Sequence, residues 1–360
     1  MTEVDIILPR KNFDVQIKER FARGITGIFG PSGAGKTSLM QAISGLAKPT
    51  SGKIAIEGKV LYDAQKGIFV PVEKRNIGYV FQEGRLFPHM SVEKNLLYGL
   101  KKHKKSKVSF DEVVELLNLK DLLKSKPSQI SGGERQRTAL GRTLLSSPDI
   151  LLLDEPFSAV DMNLRSQILP FVMRIQQKVN IPILVVSHDL PDLLKLTNTL
   201  FILKNGSCIG HGEYYDLLKN PEIAEIFGNE AIVNAVGMTV AENTLKNGLT
   251  LLEFHKNDKK VVLKCEKSKE QYATGSEIKI FINADDIALS KRPIPGITIQ
   301  NQIKGRVTDM IERNATLICI VDVGFRLVVE VTLESQKRLA ISVGSEVWCL
   351  FKSVAIDVVG

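Results

Sequence analysis

The amino-acid sequence predicts an α/β domain built on a parallel sheet, followed by an all-β C-terminal region. An apolar strand at 24–29 runs through a glycine-rich loop into a helix at 37–44, and strand, helix and strand then alternate over 150–187. This alternation is typical of parallel strands joined by helical crossovers. Beyond the segment 228–237 the helical period disappears, and short strands separated by turn residues predict small β-barrels.

The length allows more than one domain. With 360 residues, 44% of them hydrophobic, the chain can build two or three domains with their own cores. We predict an α/β domain over 1–230, a linker with a first β-rich part over 231–291, and a β-barrel over 292–360. The Pro-Ile-Pro-Gly segment 293–296 is a candidate internal linker, because proline and glycine interrupt regular structure.

Charge, cysteines and hydropathy argue against several classes of protein. The net charge is +8, and much of the excess lies in the lysine-rich segment 101–107, which we predict to be a solvated loop rather than a lipid contact. Four scattered cysteines without C-x-x-C spacing favour reduced thiols over a zinc site or disulfides. No apolar run reaches about 18 residues and the N-terminus lacks a signal-peptide pattern, so we expect a cytoplasmic protein without a membrane span.

Residues 30–37 match the phosphate-binding pattern G-x-x-x-x-G-K-[ST], between a strand and a helix as the motif requires. Backbone N–H groups and the positive end of the following helix can converge on phosphates there. Lys36 is predicted to reach the β- and γ-phosphates of a bound nucleotide, Thr37 to ligate Mg²⁺, and Ser38 to face the α-phosphate. The predicted phosphate-binding residues are Gly30, Pro31, Ser32, Gly33, Ala34, Gly35, Lys36, Thr37 and Ser38.

Two carboxylates follow the apolar strand 150–153. The carboxyl end of a buried parallel strand is where ligands bind in such folds, so Asp154 and Glu155 are predicted to lie at the nucleotide. Asp154 would hold Mg²⁺ through water, and Glu155 would take a proton from the attacking water. Without the upstream phosphate loop this Asp-Glu pair would carry little weight.

A second anion site is predicted at residues 130–134, Ile-Ser-Gly-Gly-Glu. Ser131 opens a helix, and Gly132 and Gly133 expose backbone N–H groups at its start. The segment resembles the LSGGQ signature of ATP-binding-cassette (ABC) ATPases. The resemblance implies a homodimer in which each ATP lies between the phosphate loop of one subunit and the signature of the other.

The signature departs from the family pattern at Glu134, which replaces glutamine. A carboxylate near a triphosphate is unfavourable unless it points away. Arg135 and Arg137 follow directly in the sequence and could offset its charge. We therefore expect the signature to remain functional.

Three further positions carry weight only through this resemblance. Gln82 matches the family's Q-loop glutamine, which touches metal and water and senses the transmembrane partner. His188 matches the switch histidine, which contacts the γ-phosphate, and Asp161 matches the D-loop that crosses the dimer seam. The family usually stacks adenine on a tyrosine between its first two strands; this chain offers Phe13, for which a strand-core position is the alternative.

The resemblance extends to importers in particular. The segment 85–92 is similar to the post-Q-loop stretch of importers for oxyanions, which faces the membrane subunit. Residues 78–82 with 84–89, and the signature segment 131–137, resemble molybdate importer ATPases in particular. Residues 297–358 resemble a molybdate-binding Mop (TOBE) domain, in which Lys352 and Ser353 could meet an oxyanion. The first residues of this domain, 298–301, depart from the usual sequence of Mop domains. The alternative is therefore a β-barrel that binds no oxyanion and only stabilises or regulates the dimer.

These observations predict an α/β P-loop NTPase (ABC ATPase) domain with an all-β OB-like C-terminal domain, acting in an importer for molybdate or tungstate. The resemblance implies integral membrane permease partners, indirectly a solute-binding protein, and a peripheral position on the cytoplasmic face of the membrane. The same motor could serve sulfate, iron or polyamines. A soluble ABC protein acting on DNA or ribosomes is disfavoured by the single phosphate loop and the lack of an aromatic-basic patch. A complete hydrolytic set argues against an oxyanion store or sensor.

Overall fold

Two compact units divide the chain between Glu213 and Tyr214. The lysine-rich segment 101–107, Asp161 and most of the predicted helix 164–179 lie outside the described residues. None of the helices in the described part is long and apolar enough to cross a membrane. The computed structural model describes residues 1–100, 108–157, 169, 172–173, 175–176, 179–227, 232–244, 248–256, 259–266, 272–313 and 316–359.

The first unit, Met1–Glu213, is built on one mixed sheet. Its described strands are β1 Thr2–Pro9, β2 Asp14–Phe21, β3 Gly24–Phe29, β4 Ser51–Ile56, β5 Lys59–Asp63, β6 Ile68–Phe69, β7 Ile77–Val80, β8 Ile150–Asp154, β9 Pro182–Val186, β10 Thr199–Lys204 and β11 Ser207–Glu213. Its described helices are α1 Lys36–Ser44, α2 Val92–Leu100, α3 Phe110–Leu116, α4 Gly132–Leu145 and α5 Leu190–Leu196.

The sheet runs in the order β6-β5-β4-β1-β2-β11-β10-β3-β9-β8-β7. Strands β10, β3, β9, β8 and β7 pair in parallel, whereas β1, β2, β4, β5 and β6 form an antiparallel wing. β8 and β9 are buried along their whole length, which explains why β9 is apolar throughout and β8 is apolar up to Asp154. The parallel arrangement brings the carboxyl ends of β3, β7, β8 and β9 to one edge of the sheet.

A continuous core fixes α1 against this sheet. Leu39, Met40 and Ile43 of α1 are fully buried in a cluster that also contains Ile150 and Leu152 of β8. These helix positions follow the i, i+3, i+4 spacing of one helix face. The loop that precedes α1 is therefore anchored to the strand that ends in the two carboxylates.

The second unit, Tyr214–Gly360, is all-β apart from short helices. Its described strands are β12 Val233–Thr244, β13 Leu249–Lys256, β14 Lys259–Glu266, β15 Glu277–Asn283, β16 Ala288–Ser290, β17 Asn301–Arg313, β18 Thr316–Asp322, β19 Arg326–Thr332, β20 Glu346–Phe351 and β21 Asp357–Val359. Its described helices are α6 Tyr214–Leu217, α7 Pro221–Ile226 and α8 Leu333–Arg338. The predicted boundaries at residues 230 and 291 stay predictions.

Its two five-stranded sheets interlock. The orders are β14-β13-β12-β15-β21 and β16-β20-β17-β18-β19, so each sheet takes one short strand from the other half of the unit. Asn234 joins them: its side-chain nitrogen donates to the carbonyls of Ile282 at 3.1 Å and Val328 at 2.8 Å. One hydrophobic cluster contains residues of both sheets, for example Val240 and Val329. The two halves therefore share a core.

Candidate nucleotide site

The phosphate loop is a tight connection between β3 and α1. Two of its glycines stand where a side chain would clash or would strain the backbone. A Cβ on Gly30 would lie 2.0 Å from the carbonyl oxygen of Leu203, and Gly35 has a φ of 106°, in the left-handed region. The N–H of Gly206 donates to the carbonyl of Ala34 at 2.9 Å, which ties the loop to the β10–β11 turn. The loop is thereby held from outside as well as by α1.

Lys36 turns back over this loop. Its Nζ donates to the carbonyls of Gly30 at 2.7 Å and Pro31 at 3.0 Å, so the ammonium lies at the mouth of the loop. Burial lowers the pKa of Lys36, while the nearby carboxylates of Glu155 and Asp154 oppose that shift. A cation with incomplete compensation at the start of a helix is suited to bind phosphate oxygens.

A cavity of about 330 Å³ opens beside the loop. Phe13 lies at its wall, in the bend before β2, and is half-buried against the core rather than fully inside it. Ser38 receives a 2.9 Å hydrogen bond from Nε of Arg10, which also reaches Gln41 at 3.3 Å. The cavity is lined by Arg10, Lys11, Asn12, Phe13, Gly33, Ala34, Gly35, Lys36, Thr37 and Ser38.

Asp154 is held between two hydroxyl groups at the end of β8. The hydroxyl of Thr37 donates to its Oδ1 at 3.3 Å, and the phenol of Tyr79 donates to its Oδ2 at 2.9 Å. Burial raises the pKa of Asp154, whereas both hydrogen bonds and Lys36 lower it. Hydroxyl and carboxylate oxygens are the donors that Mg²⁺ prefers, so Thr37 and Asp154 form a chemically suitable pair.

Glu155 sits in an unusual backbone conformation next to His188. Its φ is 51°, in the left-handed region, and its N–H donates to the carbonyl of Val186 at 3.0 Å. Nδ1 of His188 donates to Oε2 of Glu155 at 2.8 Å. Burial raises the pKa of Glu155, while the His188 contact lowers it. The carboxylate is thus a partly buried base with an exposed imidazole on one oxygen.

The structure places the remaining predicted residues in different surroundings. Gln82 is exposed in a turn two residues after the end of β7, the strand that pairs with β8. Asp161 is outside the described residues. The position of Gln82 agrees with a site at the carboxyl edge of the sheet. The role of Asp161 stays a prediction.

The signature segment begins α4 with a reciprocal cap. The hydroxyl of Ser131 accepts from the N–H of Glu134 at 3.2 Å, and Oε2 of Glu134 accepts from the N–H of Ser131 at 2.7 Å. Gly132 and Gly133 form the first turn. The carboxylate of Glu134 therefore turns back onto its own helix end, and Arg135 donates to the carbonyl of Ile130 at 2.8 Å.

Sequence reasoning missed the contacts of three residues at this edge. Tyr79 reads as an ordinary strand aromatic, Gln136 as a polar helix position and Arg10 as a loop charge. The structure places Tyr79 on Asp154, the amide of Gln136 on the carbonyl of Glu155 at 2.8 Å, and Arg10 on Ser38. No local sequence pattern indicates the contact of Tyr79, because it depends on the pairing of β7 with β8.

A glycine-rich phosphate loop, a buried aspartate beside its threonine and a partly buried glutamate at a parallel sheet edge define an ATP-hydrolysing P-loop protein. Comparison with known families narrows this class. Residues 12–158 match the ABC transporter model and residues 297–358 match the TOBE domain model. The chain belongs to the family of ABC transporter ATP-binding proteins, and the predicted fold class is confirmed.

Its relatives cover nearly the full chain. A "Molybdenum import ATP-binding protein" of Paramagnetospirillum magneticum is 33% identical over 99% of this chain and 98% of its own length. The protein of that name from Escherichia coli K12 is 37% identical over 93% of each chain. Among solved structures, a bacterial Atm1-family ABC exporter with ATP bound is 25% identical, with a TM-score of 0.54 over 64% of this chain and 42% of that chain.

Proposed function

We propose that this chain is the ATP-hydrolysing subunit of an importer for molybdate or tungstate. The cargo assignment rests on the extent of the similarity to molybdenum import ATP-binding proteins, which includes the C-terminal unit as well as the ATPase unit. A similarity confined to the first unit would favour sulfate, iron or polyamine transport equally well. These other cargoes are the alternative that the transport experiment below addresses.

The arrangement of Lys36, Glu155 and His188 supports hydrolysis. Lys36 donates to the β- and γ-phosphate oxygens, and Glu155 accepts the proton of a water whose oxygen bonds to the γ-phosphorus. The bond from that phosphorus to the β–γ bridging oxygen breaks, and ADP leaves with its electron pair. His188 orients Glu155 through their 2.8 Å contact. Mg²⁺, held by Thr37 and Asp154 with Gln82, would neutralise charge on the phosphates.

A dimer is required to complete the site. The N–H groups at the start of α4 can receive an anion, but α4 and the phosphate loop are separate segments of one chain. Two copies packed head to tail bring Ser131, Gly132 and Gly133 of one copy to the ATP held by the other. Asp161 is proposed to lie at the seam between the copies.

The segment 85–91 is suited to contact a membrane permease. Its backbone is held by Asn95, whose Oδ1 accepts from the N–H of Phe87 at 2.9 Å, and by Arg142, which donates to the carbonyl of Arg85 at 2.5 Å. The ring of Phe87 packs at a tilt against Tyr98 of α2, with centroids 4.5 Å apart, and Tyr98 is 42% exposed. An exposed aromatic beside a fixed segment is a suitable docking point for a partner. Contact with a permease through this segment would put the protein at the cytoplasmic face of the membrane.

The C-terminal unit is proposed to bind the oxyanion at Lys352 and Ser353. The Oγ of Ser353 is buried and has no hydrogen-bond partner among the described residues, and Lys352 beside it is exposed. A hydroxyl without a partner and an adjacent ammonium suit a tetrahedral dianion. Such binding would let intracellular molybdate regulate import.

Uptake by cells that lack this chain tests the proposal. Cells carrying the wild-type gene are expected to accumulate labelled molybdate and tungstate, and cells carrying Glu155→Gln are expected to lose that uptake while sulfate uptake stays unchanged. Unchanged molybdate uptake in the absence of the chain would contradict the cargo assignment. Titration of the full chain with molybdate, using Ser353→Ala as the comparison, tests the C-terminal site separately.

A further inference from the structure

Gln136 lies where three segments of the ATPase unit meet. It is on α4, five residues after the cap residue Ser131, and only 2% of it is exposed. Its Nε2 donates to the backbone carbonyl of Glu155 at 2.8 Å. Since the acceptor is a carbonyl oxygen, the amide nitrogen must be the atom that faces it. The helix that begins with the signature is therefore bonded to the backbone of the proposed base.

The turn that carries Gln82 rests on the same point of α4. The N–H of Gly84 donates to the carbonyl of Phe81 at 3.0 Å, so Gln82 and Glu83 are the central residues of this turn. A Cβ on Gly84 would lie 3.0 Å from the backbone nitrogen of Gln136, in a residue whose φ is 54°. The turn thus packs directly against the α4 backbone. A movement of α4 would therefore displace both this turn and the backbone of Glu155.

The Gln136 contact is made to Glu155, a residue whose backbone is held in an unusual conformation. Glu155 has a φ of 51°, a conformation that a glutamate adopts only when its surroundings impose it. Its N–H is bonded to Val186 and its carbonyl to Gln136, so its backbone is fixed from β9 and from α4. The Oε1 of Gln136 is buried and has no partner among the described residues, which is unusual for a buried amide.

We propose that Gln136 is a positioning residue that makes the base Glu155 respond to the signature helix of its own chain. The inference rests on the proposed function, in which that helix contacts the ATP bound by the partner subunit. Binding of ATP at one site moves α4 of the opposite chain, and Gln136 transmits this to the Glu155 of the second site. The two sites of the dimer are thereby coupled through one hydrogen bond in each chain.

ATP hydrolysis by the full-length homodimer in its permease complex tests the coupling. Gln136→Met keeps the length of the side chain and removes both the donor and the unpaired acceptor, so the melting temperature should not fall. We expect kcat to fall about tenfold with KM for ATP within about twofold, and the Hill coefficient for ATP to approach 1. Thr143→Val, which removes a buried hydroxyl bonded to Ala139 within the same helix, is the matched control and should match wild type.

A second variant has a pH-dependent rate that distinguishes a positioning role of Gln136 from a merely structural one. In Gln136→Glu the ionised carboxylate opposes the carbonyl of Glu155, whereas the protonated form can donate to it. The ratio of the Q136E rate to the wild-type rate should therefore rise as pH falls. A flat ratio, a Q136M kcat equal to wild type, or equal losses in kcat, ATP affinity and melting temperature would overturn the inference.

The two proposals fail in distinguishable ways. A wild-type chain that hydrolyses ATP and imports molybdate, with Q136M indistinguishable from it, contradicts only the role of Gln136. A wild-type complex without ATP hydrolysis contradicts the proposed function and, with it, the coupling of the sites.

Discussion

The phenol of Tyr79 donates a 2.9 Å hydrogen bond to Oδ2 of Asp154, the carboxylate whose other oxygen faces Thr37 at 3.3 Å. Burial, together with the Asp154 charge, raises the pKa of Tyr79, so the phenol remains a donor throughout the physiological range. The ring of Tyr79 stacks on Phe81 with centroids 4.2 Å apart, which fixes its direction. Tyr79 thus orients a proposed metal ligand from the neighbouring strand.

Tyr79→Phe should therefore weaken the use of Mg²⁺ without removing ATP binding. Loss of a partner that orients a metal ligand is expected to raise the Mg²⁺ concentration for half-maximal ATPase activity by about tenfold. Tyr62→Phe is the control, because its phenol bonds the carbonyl of Pro49 at 2.7 Å. The same Mg²⁺ dependence in Y79F and wild type would show that Thr37 alone orients Asp154.

Glu155→Gln should stop hydrolysis while leaving ATP binding intact. Removal of a general base is expected to lower kcat by at least about a hundredfold. An ATP-bound dimer should then accumulate, measurable by size-exclusion chromatography with and without ATP. Glu19→Gln is the matched control, since Glu19 also pairs with a histidine, His211, at 3.0 Å. Normal turnover by E155Q would exclude Glu155 as the base.

The pH dependence of kcat should reveal the environment of Glu155. A base works only when ionised, and the pKa of Glu155 is raised above its ordinary value of 4.5, mainly by burial. Activity should therefore fall, as pH decreases, at a higher pH than for an exposed glutamate. His188 lowers this pKa, so His188→Ala should move the acidic limb of the profile upward. An unshifted or lower acidic limb in H188A would contradict this assignment.

Local sequence patterns were enough to predict where the glycine-rich loop and the two carboxylates lie in the sheet. Each lies at the carboxyl end of an apolar strand, and a parallel sheet gathers those ends at one edge. The contact of Tyr79 with Asp154 could not be predicted, because it depends on β7 lying beside β8 in register. Likewise, the exchange of β16 and β21 between the two C-terminal sheets rests on pairings that no local period encodes.

Buried polar side chains were the other limit of sequence reasoning. Gln136 and Arg75 are both polar residues in polar stretches, where exposure is the usual expectation. The structure buries both, because backbone carbonyls converge on them from segments distant in sequence. Such acceptors appear only when the chain has folded, so composition and periodicity contain no sign of them.

Arg75 should be important for the stability of the first unit because it closes the far end of α1. It is 1% exposed, and its guanidinium donates to the carbonyls of Val70 at 2.8 Å and Ile43 at 2.8 Å. Burial lowers the pKa of Arg75, and a cation at the last carbonyls of α1 is favoured by the helix dipole. A Cβ on Gly45 would lie 2.5 Å from Nε of Arg75, so a side chain at position 45 would displace the guanidinium.

Arg75→Ala is expected to lower the free energy of unfolding of this unit by roughly 3 kcal/mol, since several buried carbonyls lose their donor at once. Calorimetry gives the unfolding temperature, and faster amide exchange in peptides covering 36–47 should locate the loss at α1. Arg20→Ala, which removes an exposed and solvent-screened ion pair with Glu3, should leave the unfolding temperature close to that of the wild type. Because α1 carries Lys36 and Thr37 at its other end, R75A should also bind ATP more weakly. Equal stability of R75A and R20A would show that the carbonyls around Arg75 find other donors.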